Sequence, residues 1–191
     1  MKKFFLTIIA FMTSIFSCGK HRDDGRYSFY ISPGNHKSYG EGLIPDKCPS
    51  GQYSIKFDVH FNEYADVFVP NNPQQINKTI GLKEGVIPNK NSVILGYSTY
   101  NDKFELWLFV NHQNSFEHIK IGEFETGNFI GQFELGMTKT SYYIDYNGIR
   151  YEIDRDNGDL PKRLTLVRPW FGGKEPNPDN NGTINIRIEM R

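Results

Sequence analysis

The chain has 191 residues, with 22 Lys and Arg against 22 Asp and Glu, 15% aromatic side chains and two cysteines. A charge this balanced excludes a nucleic-acid partner, whose binding depends on a marked basic excess. The two cysteines form no C-x-x-C pair, so neither a disulfide framework nor a thiolate metal site is expected, and no cofactor is implied.

In chain order, Lys2 and Lys3 open a positive n-region, and an apolar run extends from Phe4 through Phe16 to Ser17-Cys18. The run is too short to span a bilayer and reads as an export signal over residues 1–17. Its close, Ile15-Phe16-Ser17-Cys18, resembles the lipobox of bacterial lipoproteins, in which the Cys is acylated and becomes the mature N-terminus. The resemblance implies a lipid anchor on Cys18 and hence attachment to a membrane; Phe16 departs from the small or β-branched residue usual there. Residues 18–26 read as a polar, lipid-attached tether. The 174 residues left by removing 17 from 191 suffice for one domain with a sizeable core, placed at 27–191. With Cys18 acylated, Cys48 has no partner.

From Tyr27 onward, alternation at period two dominates. Gln52 to Phe61 sets Tyr53, Ile55, Phe57, Val59 and Phe61 against Ser54, Lys56, Asp58 and His60, the mark of a strand with one buried side. Lys103 to Asn111, Phe129 to Met137 and Thr183 to Met190 repeat the pattern. Asn147-Gly148, between Tyr142–Tyr146 and Ile149–Ile153, supplies the two positive φ angles of a type I′ hairpin. Asn101-Asp102 and the stretch from His112 to Asn114 read as two further hairpin connections. Without a window of helical periodicity, short strands separated by polar turns predict an all-β antiparallel sandwich of jelly-roll type.

The chemistry-bearing candidates are few. Glu152-Ile153-Asp154-Arg155-Asp156 resembles the Glu-x-Asp-x-(x)-Glu strand of jelly-roll retaining glucanases. That chemistry needs two carboxylates about 5–5.5 Å apart, projecting from one face of a strand. Alternation puts Glu152, Asp154 and Asp156 on one face, but a solvated strand edge running into a turn explains the set and is the favoured reading. Trp107 and Trp170 are candidate stacking plates for sugar rings, but the favoured reading is that both fill a core layer between two sheets; Trp107, mid-strand, is expected to behave mostly as core, and Trp170, before the Gly172-Gly173 turn, is the better ligand candidate. No nucleophile elbow, metal-binding histidine spacing or phosphate loop is present.

Several blocks then align in order: Tyr30-Ile31-Ser32-Pro33-Gly34-Asn35-His36, Ile76-Asn77-Lys78-Thr79-Ile80-Gly81-Leu82, Lys90-Asn91-Ser92 through Gly96-Tyr97, and Pro169-Trp170-Phe171-Gly172-Gly173-Lys174-Glu175-Pro176-Asn177-Pro178. The set resembles an uncharacterised family of secreted Bacteroidetes-type β-proteins, across most of residues 27–191. The resemblance implies a concanavalin-like jelly roll and an outer-membrane address, but no activity. His36 and Tyr97, within the blocks, join Trp107 and Trp170 as candidate ligand-binding residues. The family's paired His is replaced by Pro88-Asn89, and its A-R-F-G-W by Val93-Ile94-Leu95-Gly96-Tyr97.

The sequence thus favours a non-catalytic, lipid-anchored module that binds carbohydrate or another cell-surface ligand. A structural or assembly lipoprotein that binds protein is the first alternative. A polysaccharide lyase or glycoside hydrolase using Glu152 and Asp154 is the second.

Overall fold

Alternating apolar residues commit the chain to strands, and two sheets form because each strand has one face to hide. A computed structural model describes residues 25–41, 51–67, 75–85, 91–113, 115–125, 127–156, 158–172 and 175–191. Cys18 and Cys48 lie outside these residues, and with them the lipidation site. The strands are β1 (Arg26–Ile31), β2 (Tyr39–Glu41), β3 (Ser54–Phe61), β4 (Asn77–Glu84), β5 (Ser92–Tyr100), β6 (Lys103–Asn111), β7 (Phe116–Phe124), β8 (Ile130–Met137), β9 (Ser141–Tyr146), β10 (Ile149–Asp154), β11 (Leu164–Val167) and β12 (Ile184–Met190). One 3₁₀ turn, Glu63–Ala65, interrupts them. All strand pairs are antiparallel. One sheet has seven strands in the order β10-β9-β8-β3-β12-β1-β2, the other five in the order β11-β4-β5-β6-β7.

Both tight hairpins take the expected form. Asn147 and Gly148 have φ of 50° and 76°, and Asn101 and Asp102 have φ of 51° and 58°. These left-handed angles match the twist of the flanking strands, and Asn, Asp and Gly tolerate them best.

The core lies between the sheets. Phe61 of the seven-stranded sheet meets Tyr97 and Phe104 of the other at centroid distances of 5.0 and 5.3 Å, and such pairs add about 0.5–1.5 kcal/mol beyond the area they bury. A polar tie crosses the same gap. Glu84 on β4 accepts hydrogen bonds at Oε1 from the Tyr142 hydroxyl (2.7 Å) and from Arg155 Nε (2.9 Å). The Arg155 side chain is fully buried. Burial, with Glu84 second, pushes the Tyr142 hydroxyl's pKa well above its ordinary value. No helix among the described residues is long and apolar enough to cross a membrane.

Candidate functional site

Sandwiching buries the inner faces and leaves two outer ones, and these differ in chemistry. On the five-stranded sheet, the residues alternating with the core-facing Leu95, Leu106 and Leu108 point outward. Two isolated bridges extend this sheet: Trp170 pairs with Lys78 through both backbone hydrogen bonds (2.8 and 2.9 Å), and Lys37 pairs with Trp170. Register partners share a face, so one row can be followed across six chain segments: Lys37, Trp170, Lys78, Gly96, Trp107, Lys120. A second row runs Val167, Gly81, Ile94, Phe109, His118, and a third runs Thr165, Lys83, Ser92, Asn111, Phe116.

Gly96 is needed where it stands: a Cβ there would lie 2.5 Å from Ile76 Cγ2, so the bare backbone lets Ile76 settle onto the sheet. A cavity of about 510 Å³ opens over this face, lined by Lys37, Lys78, Lys83, Arg168 and Trp170 among others, and by no acidic residue.

The aromatic side chains form a ladder. Phe109 stacks on Phe116 at 5.6 Å and Phe116 on His118 at 6.1 Å, while His118 meets the Trp107 ring edge-on at 5.2 Å. Trp107 is fixed from behind. Its Nε1 donates to Ser98 Oγ (2.8 Å), which donates to the buried carboxylate of Glu105 (3.2 Å). Lys120 Nζ donates to Glu105 (2.5 Å) and Glu123 (3.1 Å), and those bonds raise the amine's pKa. Glu105 and Glu123 are themselves register partners on this face. Lys78 is different. It is half-buried, its ammonium lies 5.9 Å from the Phe109 ring centroid, and loss of water lowers its pKa.

The sequence-predicted residues divide. Trp170 (37% exposed) and His36 come together, their rings stacked at 5.8 Å and 17°. His36 Nδ1 donates to the Phe171 carbonyl (2.9 Å), which leaves Nε2 as the acceptor of the neutral ring. Trp107 stands on the same outer face and fills no inter-sheet layer. Tyr97 is a correction. It faces the core at 0% exposure, its hydroxyl has no hydrogen-bond partner among the described residues, and burial drives its pKa up, so it offers nothing to a ligand.

Glu152 and Asp154 are exposed on β10, the edge strand of the seven-stranded sheet, on the opposite side of the sandwich from Trp107. Asp156 does not join them: the strand ends at Asp154, Arg155 turns inward, and Asp156 Oδ2 lies 3.2 Å from His112 Nδ1. Alternation placed the three carboxylates together only by extending the strand two residues too far.

Lys37, Lys78, Lys83, Glu105, Phe109 and His118 were not singled out from the sequence. Outward position on β6 was readable for Glu105 and Phe109, but the row depends on cross-strand register, which no local pattern carries.

No protein-family model matches this chain, and no curated protein matches it in sequence. Solved structures do share its fold. An alginate lyase from Pseudomonas aeruginosa superposes with a TM-score of 0.50 at 10% identity, over 72% of this chain and 64% of that one. The chain therefore spans less than two thirds of that lyase. The catalytic domain of an endo-1,3-β-glucanase (laminarinase) from Thermotoga petrophila gives 0.55 at 9% identity, over 88% and 76%. The PL7 alginate lyase AlyA1 from Zobellia galactanivorans gives 0.52 at 11%, over 92% and 83%. The fold is thus the concanavalin-like jelly roll. The leading expectation of a non-catalytic binding module is corrected by these neighbours, which are polysaccharide-cleaving enzymes.

Proposed function

We propose that this chain is a polysaccharide-cleaving enzyme, a lyase or a glycoside hydrolase, working on the outer face of the five-stranded sheet. Fold likeness at about a tenth identity does not fix an activity, so the reading rests on the site. The observation that carries it is the row that runs from Trp170, which lines an open cavity, through Lys78 and Gly96 to Trp107, with polar and charged groups beside it. Indole plates suit the C–H faces of sugar rings, and a row crossing six chain segments suits a polymer better than a small molecule. Lys78, whose amine burial holds below its ordinary pKa, lines the same cavity. The acyl anchor on Cys18 and an address in the outer membrane belong to the same proposal, supported by residues 1–18 and by the block resemblance.

The test is to incubate the full chain with polyuronates, laminarin and mixed-linkage glucan, following polymer size, reducing ends and ultraviolet absorbance. Shortening with new absorbance marks elimination, because the lyase leaves a double bond conjugated with a carboxylate. Shortening without absorbance marks hydrolysis. If no polymer shortens between pH 5 and pH 10, the proposal is wrong. For the anchor, Cys18→Ser should release the protein from the membrane fraction, and unchanged fractionation would refute it.

A further inference from the structure

We infer that the ligand of this face is a polyuronate, a glycan with one carboxylate per sugar, lying across the strands along the row from Lys37 to Lys120. The inference rests on the polysaccharide-cleaving reading and names its substrate class.

The sign of the charge on this face points to an anionic ligand. Lys37, Lys78, Lys83 and Arg168 converge on one cavity that no carboxylate lines. The chain as a whole has equal numbers of basic and acidic residues, so this excess comes from arrangement and not from composition. Lys37, Lys78 and Lys83 have no carboxylate partner among the described residues, whereas Lys103, Lys120 and Lys56 each do. A neutral glucan would strip water from these ammonium groups and return no charge to them. A polyuronate supplies the missing anions.

The fixed position of Lys78 points the same way. A half-buried ammonium without a counter-ion weakens the fold, and its lowered pKa reports that cost. Its site is nevertheless closely built: β4 bulges between Lys78 and Ile80, which brings Lys78 into register with both Gly96 and Trp170.

The spacing of the row agrees. Strands repeat at about 4.8 Å, so six segments span about 24 Å. That repeat is close to the advance of one sugar along an extended chain. Lys37, Trp170 and Lys78 then present cation, plate and cation to successive sugars. Trp107 provides a second plate farther along, and the Phe109–Phe116–His118 ladder lies beside it.

Affinity electrophoresis of the full chain tests this, with polymannuronate, polyguluronate, polygalacturonate, laminarin or dextran sulfate cast in the gel. The proteins are wild type, Lys37→Met, Lys78→Met and Lys56→Met, the last removing an equal charge from the opposite face. We expect retardation by at least one polyuronate that weakens on the order of tenfold between 50 and 200 mM salt, the scale of a few charge contacts. Lys37→Met and Lys78→Met should each weaken it about tenfold without lowering the melting temperature, and Lys56→Met should not weaken it. Binding of laminarin in place of every polyuronate would overturn the substrate class and leave the cleavage reading standing. Dextran sulfate retarding the protein as strongly as the polyuronates would reduce the row to general polyanion attraction and overturn the uronate assignment. Lysine-dependent polyuronate binding without cleavage would uphold this inference and sink the enzymatic one.

Discussion

The two outer faces of the sandwich hold charges in opposite ways. On the seven-stranded sheet most cations are paired, Lys56 with Glu134, Arg191 with Asp58, Arg26 with Glu189 and Arg150 with Asp145, while Arg187, Glu152 and Asp154 stand exposed beside them. On the five-stranded sheet the acidic pair Glu105 and Glu123 is satisfied by Lys120, while Lys37, Lys78 and Lys83 are left over, in the company of Trp107 and Trp170. Exposed ion pairs contribute only about 0–1 kcal/mol each, so the first face is explained by solubility alone. The second is not. A partly desolvated Lys78 with no carboxylate partner among the described residues, beside an aromatic ring, opposes stability, and an external anion is the simplest reason for it.

The largest effect that sharpens this contrast concerns Arg155, the inward-facing charge of the acidic stretch. Arg155→Met leaves the Glu84 carboxylate buried without its guanidinium, and breaking such a pair costs about 3–5 kcal/mol. Denaturant unfolding should show that loss. A change below about 1 kcal/mol would mean that Glu84 finds other partners, and the tie between the sheets would be unimportant.

The same stretch explains what the sequence could and could not reveal. Alternation located β3, β6, β8 and β12 to within two residues, and Asn147-Gly148 and Asn101-Asp102 announced their turns, because both signals are local. β7 escaped notice because, as an edge strand with an exposed first half, it has little apolar alternation. Glu152, Asp154 and Asp156 looked like a set because they are close in sequence. The row from Lys37 to Lys120 draws one residue from each of six distant segments, and two bulges, between Lys78 and Ile80 and between Leu106 and Trp107, shift its register. No single-strand pattern can carry that.

The next effect falls on the plates. Trp107 is half-buried and anchored through Ser98, so Trp107→Ala should cost about 1–2 kcal/mol of stability, less than the roughly 3–5 of a core tryptophan. Losing a stacking platform should cost a further ~1–3 kcal/mol in polymer binding, a range taken from base-stacking surfaces. Trp170→Ala, at a more exposed site, should show the binding loss with less destabilisation. Initial rates at low polymer concentration, alongside melting curves, separate the two. If both variants cleave like wild type, the row is not the site.

Lys78 gives a smaller effect of unusual sign. The unfolded chain keeps its ammonium protonated up to the ordinary 10.5, while burial makes the folded state release the proton at lower pH. Between those two values the unfolded state binds more protons, so stability rises with pH there. Below the window the charge is present in both states and its burial weakens the fold. Lys78→Met should therefore melt higher than wild type at pH 7 while losing polyuronate affinity. Its advantage should shrink as pH climbs toward 10.5. A variant that melts lower at pH 7 would show that the amine is already compensated within the protein.

The smallest effect is the one that would do the contrast most damage if it proved large. Glu152 and Asp154 lie exposed on the edge strand, and Arg150 already has both Asp145 oxygens at 2.7 Å, with Glu152 only at 3.9 Å. Removing both charges, as Glu152→Gln with Asp154→Asn, should change stability by under about 0.5 kcal/mol, as expected for surface positions away from any network. The variant should also cleave the polymer at the wild-type rate, because the full thickness of the sandwich separates these carboxylates from Trp107. A variant that folds normally yet loses cleavage would place the chemistry on the seven-stranded sheet. The unmatched lysines opposite would then serve only to hold the chain of the polymer, and the matched face would be the reactive one.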